Sequence, residues 1–161
     1  MSLPLYRIDD RLIHGQVVVG WGKPLGIEFI VLVDDQVAGS EWEQELYRMG
    51  VPPGVDVYFN SVADVVRDHE RYTTDSRRGI LLTGTAATML QLIELVPTIR
   101  TVNVGGIHHR PGRVQKLRYV FLTQDEEQTL QTIATRGVEV TAQDLPSTRA
   151  VSLEELIRGD R

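Results

Sequence analysis

The chain has no cysteine. That excludes thiol catalysis, disulfides and cysteine-ligated metal sites together. No stretch approaches ~18 consecutive apolar residues, so no membrane span is expected. The N-terminus lacks a basic region followed by a long apolar run, so no signal peptide is expected either. The expectation is a cytoplasmic protein whose membrane role, if it has one, comes through a partner. An excess of basic charge is also missing. The formal net charge is −5 and there is no Lys/Arg run, which argues against nucleic-acid binding. Neither a P-loop nor a G-x-G-x-x-G turn follows a strand, which weakens the reading as a nucleotide-binding α/β module. There is no internal repeat, linker or low-complexity run. The 161 residues, 42% hydrophobic and 24% charged, therefore read as one ordinary domain, 1–161, with a single sizeable core.

Within that domain, short apolar runs alternate with capped helical segments. Strands are expected at Leu3 to Ile8, Glu28 to Val33, Val55 to Phe59, Gly79 to Gly84, Val102 to Val104, Leu117 to Leu122 and Val138 to Val140, the last as a half-exposed edge. Ser40, Ser61, Thr85 and Thr123 stand where helix N-caps belong, with Asp64 and Glu126 at capping-box positions, and a further short helix is expected from Ser152 to about Ile157. The helix after Ser61 is expected to be short, with a polar, turn-like stretch from Arg67 to Arg78. Gly20, Gly22, Lys23, Pro24 and Gly26 read as helix stops. The alternation predicts an α/β fold: an open, twisted, mostly parallel sheet of about seven strands with helices on both faces.

The stretch Arg7-Ile8-Asp9-Asp10-Arg11-Leu12-Ile13-His14-Gly15-Gln16-Val17 carries the densest chemistry. It places an imidazole and a guanidinium at the carboxyl end of the first strand, where ligands bind in open α/β sheets. A helix expected to start near Gln16 adds free backbone N–H groups. This suits a phosphoryl group on or near His14, with Arg11 on its oxygens. The plainer reading is a hydrogen-bonded surface His, with Arg11 in a salt bridge to Asp9 or Asp10. Asp10 either orients His14 or Arg11, or simply forms the turn. Gly15 and Gln16 are candidate amide donors. Thr83 and Gly84 end the fourth strand and either add donors there or terminate it. His108 and His109 follow Gly105-Gly106. Without an acid at helix spacing they fit a docking rim, with Arg113, better than a metal site. Trp21 reads as core before docking surface.

The eleven-residue stretch resembles the active-site loop of the IIB component of the mannose/fructose/sorbose family of the bacterial sugar phosphotransferase system, R-x-D-D-R-L-I-H-G-Q-V. Weaker likenesses follow in order. Asp34-Asp35-x-Val37-Ala38 resembles the family's acid-rich turn, Pro52-Pro53-Gly54-Val55 its P-P-G-V turn, and Asn103-Val104-Gly105-Gly106 its N-x-G-G loop. Where the family usually has W-T-K, this chain has Trp21-Gly22-Lys23, which predicts a looser helix end. In many members the position of His109 is aromatic.

The resemblance implies one antiparallel edge strand and a phosphoryl group carried by His14 on Nδ1. It implies no cofactor and no metal. It also implies a phosphorylated IIA domain on a separate chain as donor, and a membrane IIC/IID permease as the route to the sugar. A regulatory phosphocarrier with the same His14 chemistry and no transport is the rival within the family. The sugar stays open, and a homo-oligomer is compatible with everything above.

Overall fold

Apolar runs without alternation make the centre of the sheet. In β1 (Leu5–Ile8), β2 (Phe29–Val33) and β4 (Gly79–Thr83) every residue is buried, as strands covered on both faces must be. The computed structural model describes residues 2–159. With β3 (Asp56–Asn60), β5 (Thr101–Val104), β8 (Glu139–Ala142) and β9 (Val151–Ser152), these strands form a seven-stranded sheet ordered β3-β2-β4-β1-β5-β8-β9. All pairings are parallel except β8 with β9. The sheet is thus mostly parallel with one antiparallel edge.

The period-2 geometry of a strand sends alternate residues to opposite faces. Phe29, Val31 and Val33 enter one core cluster, while Ile30 and Leu32 enter the other. The first is closed by α4 (Val62–Thr73), α5 (Ala86–Leu95) and α6 (Gln124–Thr135) through Val65, Met89, Leu92, Leu130 and Ile133. The second is closed by a π-helical turn, Gln16–Trp21, that runs into α1 (Gly22–Leu25) through Val17, Val18 and Trp21. Short α2 (Asp35–Ala38) and α3 (Glu41–Met49) lie on that side, and Tyr47 of α3 packs against its cluster. The C-terminal α7 (Leu153–Arg158) is capped by Ser152. Capping boxes at Ser61/Asp64 and Thr123/Glu126 are both formed; each cap contributes about 1 kcal/mol.

Four local expectations are corrected. The helix after Ser61 continues to Thr73 because Val65, His69 and Tyr72 bury one stripe; a His and a Tyr serve there as apolar anchors. The segment around Leu117 is a hairpin, β6 (Val114–Leu117) with β7 (Val120–Leu122), outside the main sheet. The strand at Val138 to Val140 is interior, flanked by β5 and β9, so the edge belongs to Val151–Ser152. Finally, Gly20 and Gly22 do not stop the helix, and its end is not loosened at Gly22. The chain stays helical to Leu25 and ends at Gly26, left-handed at φ 64°. Gly20 and Gly22 answer to packing: an added Cβ would meet the side chain of Leu145 at 2.6 Å or of Ile27 at 3.1 Å.

Candidate functional site

The chain leaves β1 at the carboxyl end of the sheet, between the ends of its two neighbours. The Asp9 amide donates to Thr83 O at 2.9 Å and the Asp10 amide to Gly106 O at 2.9 Å. The turn then passes through Leu12 at φ 59°. A left-handed residue with a Cβ costs about 1–2 kcal/mol. Here the Leu12 side chain is buried in the core cluster beside the π-helical turn, and burial of a Leu is worth about 1.5–3 kcal/mol. His14 closes the turn, its carbonyl accepting from the amides of Val17 and Val18 at 3.1 and 3.0 Å.

Asp9 is the hub. It is fully buried. One of its oxygens lies 3.2 Å from His14 Nε2 and 3.5 Å from Arg11 Nε and accepts from the Arg11 amide at 3.2 Å. The other accepts from Arg7 at 3.3 Å and from the Gly106 amide at 3.2 Å. Burial on its own raises a carboxyl, and it is the largest influence here. The contact with His14, the charges of His14 and Arg7, and the Arg11 amide outweigh it and hold Asp9 at about 2. The residue is therefore ionised across the physiological range. His14 Nε2 is enclosed against it, at an angle short of a straight hydrogen bond. The side chain as a whole keeps 16% exposure.

Behind Asp9 lies Arg7, also fully buried. Its guanidinium donates to the side-chain oxygen of Asn103, to Gln143 O at 2.9 Å and to Asp144 O at 3.2 Å, and lies 4.9 Å from the Trp21 ring centroid. Burial pushes its pKa down, and Asp9 pushes back. Gly105 makes room: an added Cβ would collide with the Arg7 guanidinium. Trp21 is buried and donates Nε1 to Asp144 O at 3.0 Å, so it is core.

Arg11 stands in the open, its side chain 40% exposed, paired to Asp9 and donating to the Gln16 side-chain oxygen. Gln16 in turn donates to Asp144 at 2.8 Å. Gly15 is exposed, with open space where a Cβ would stand. Beside it runs a cleft lined by Val19, Lys23, Met49 and Pro53 among others.

Other residues expected in the site take partners of their own. Asp10 does not orient His14; its carboxylate turns to the next loop, 2.6 Å from His108 Nδ1 and 2.8 Å from the His108 amide, with Arg113 at 3.6 Å. The Arg113 guanidinium is held by Glu126 and by the His108 carbonyl. The side chain is 8% exposed, doubly paired to Glu126 at 2.7 and 3.0 Å and donating to His108 O at 2.7 Å. Thr83 is not a ligand donor: it is buried, and its hydroxyl donates to Val33 O at 3.0 Å. Gly84 packs against Leu12. His109 is exposed, edge-on to Phe121 at 5.7 Å, and shares no partner with His108. Among the described residues no group of three His, Asp or Glu side chains is gathered to hold a metal.

Asp9 and Arg7 were missed as site residues. The signal was an Arg inside a buried strand, which requires a counter-ion close by.

The family model for the sorbose-subfamily IIB component of the phosphotransferase system matches residues 3–161. The chain belongs to this IIB family. It is 31% identical over 157 residues to the mannose-specific EIIAB component of Escherichia coli strain K12, covering 98% of this chain and 49% of that one. It thus spans about half the length of that relative. With the fructose-specific EIIB component of Bacillus subtilis it shares 29% identity, over 98% of this chain and 97% of the relative. The crystal structure of the IIB domain of the sorbose permease from Klebsiella pneumoniae superposes with a TM-score of 0.85 at 29% identity, covering 98% and 97% of the two chains. The chain is a IIB unit of the mannose/fructose/sorbose class. None of its helices, among the described residues, is long and apolar enough to cross a membrane.

Proposed function

We propose that this IIB component takes a phosphoryl group from the phosphohistidine of a IIA domain, holds it on His14 Nδ1, and passes it to a sugar of the mannose/fructose/sorbose class delivered by a membrane IIC/IID pair. The observation that carries this reading is the environment of His14. One ring nitrogen is enclosed against an ionised, fully buried Asp9 while the ring keeps an open side next to Arg11.

With an Asp9 oxygen 3.2 Å from Nε2, the tautomer with its proton on Nε2 is favoured, and it leaves the lone pair on Nδ1. In the transfer, that lone pair forms the new N–P bond. The donor's N–P bond breaks, and its electron pair returns to the donor imidazole. No proton has to move at His14. The ring becomes a phosphorylated imidazolium, and Asp9 stabilises the charge that appears, as a buried carboxylate does behind an attacking histidine system. Arg11 supplies a planar fork for the phosphoryl oxygens, with Gly15 and Gln16 as backbone amide donors. Catalysis of this kind is positioning plus electrostatics. Asp10 and Arg113 support it from behind by holding the loop that carries His108 and His109 against the crevice, and His109 is the docking-rim residue of that loop.

The test is to incubate the protein with a phosphorylated IIA domain and map acid-labile phosphate. Label on His14, absent in His14→Ala, is the expected result. Label that persists in His14→Ala, or that maps to His108 or His109, overturns the assignment.

A further inference from the structure

One contact takes no part in the bond changes just described, that of Asp10 with His108. It has the geometry of an orienting dyad. The Asp10 carboxylate grips His108 twice, one oxygen 2.6 Å from Nδ1 and the other accepting from the backbone amide at 2.8 Å. A carboxylate has only lone pairs to offer, so the proton of the imidazole sits on Nδ1 and the ring cannot rotate away. Nε2 is left for the solvent side, and the side chain is 53% exposed.

The ring is turned toward the reacting centre. An added Cβ at Gly106 would meet Arg11 Nη2 at 3.3 Å, His108 Cε1 at 3.3 Å and Asp9 Oδ1 at 3.4 Å. The guanidinium, the carbon between the two His108 nitrogens and the carboxylate that touches His14 therefore surround one point. The loop that carries His108 is pinned from its other side as well. The Ile107 amide donates to Tyr119 O at 3.0 Å and Ile107 O accepts from the Phe121 amide at 2.8 Å. The charged groups facing this imidazole are Asp10 on Nδ1, Arg11 and Asp9 across Gly106, and Arg113, whose own guanidinium is held by Glu126.

We infer that His108, oriented by Asp10, is a second phosphate-binding residue of this site, donating Nε2–H to a phosphoryl oxygen beside Arg11 while the group is transferred to His14. The inference rests on the reading of His14 as acceptor and adds a partner to it. Beside the phosphoryl dianion Nε2 takes up a proton from solvent, and Asp10 stabilises the resulting imidazolium from behind. Bond changes remain those at the two N–P bonds. His108 gives a hydrogen bond and keeps its proton.

Phosphoramidate serves as a small-molecule donor, with 31P NMR following label on His14 in the full chain. His108→Gln keeps a polar side chain for Asp10 but loses the cationic donor, and should slow labelling about tenfold. His108→Arg, with a permanent cation, should recover most of the rate. Long-range 1H–15N spectra should show the proton of unphosphorylated His108 on Nδ1, with Nε2 shifting when His14 is labelled. Unchanged labelling in His108→Gln overturns the inference. So does a deficit unrelieved in His108→Arg, which is the signature of a merely structural loop residue. Absence of label on His14 in the unsubstituted protein is a different result: it overturns the reading of the site as a whole.

Discussion

Replacing Asp9 with Asn tests the centre of the site by perturbing stability and transfer together. The carboxyl sits at about 2 in the folded protein against an ordinary 3.8. At about 1.36 kcal/mol per pH unit, that depression is worth on the order of 2.4 kcal/mol. The sign follows from the direction. A depressed carboxyl contributes stability that is complete above pH 4 or so and is lost as pH falls through about 2. Asp9→Asn removes that contribution at every pH and leaves Arg7 buried without its counter-ion, and breaking a buried pair costs about 3–5 kcal/mol. Urea unfolding at neutral pH should therefore show a loss in that range. The gap to the unsubstituted protein should close by roughly 2 kcal/mol as pH approaches 2, since a protonated Asp and an Asn are then alike in charge. Phosphoryl transfer to His14 should fall on the order of a hundredfold, because the imidazolium loses its counter-charge. A gap that stays constant with pH, or an Asn variant as stable as the original at pH 7, would refute the account of Asp9 as an ionised hub.

Three other substitutions separate the remaining roles. Arg11→Lys keeps the charge and loses the fork, so transfer should slow about a hundredfold with the urea midpoint unchanged; an unchanged rate would reduce Arg11 to its pair with Asp9. Gly105→Ala forces a methyl into the Arg7 guanidinium and should destabilise by about 1–3 kcal/mol, read by thermal unfolding. Gly15→Ala has open space around it, so the fold should be untouched. Transfer from a protein donor, which must come close to His14, should slow while transfer from phosphoramidate does not. Equal slowing with both donors would show that the methyl acts on His14 itself.

Much of the architecture was legible because it is written in local terms. Unbroken apolar runs gave the interior strands, and Ser or Thr with an acid three residues on gave helix starts that the structure forms at Ser61 and Thr123. What was not legible depends on partners distant in sequence. Whether Asp9 or Asp10 faces His14 turns on one alternation of side chains, decided by Thr83 and Gly106 accepting their amides. Arg113 read as surface charge because Glu126, its partner, lies thirteen residues on. His69 and Tyr72 hid a helical stripe because neither scores as apolar. The hairpin at Leu117 hid because its turn, Arg118-Tyr119, carries no glycine or asparagine.

Loops that bind ligands are as a rule the parts of a protein that open most readily. The turn after β1 is built otherwise. Arg7 lies in a central strand, and its guanidinium reaches Asn103 on β5, the Gln143 and Asp144 carbonyls just past β8, and Asp9 in the turn. To swing the turn outward the chain has to strip a buried cation of its acceptors, and those acceptors belong to the sheet. Amide protons of the turn, such as that of Asp9 on Thr83 O, are thus tied to the fate of the strands. They should exchange with solvent as slowly as the core does, by unfolding of the whole domain. The phosphoryl acceptor would then be presented by a surface that does not breathe, and adaptation to different partners would be left to the exposed residues around it.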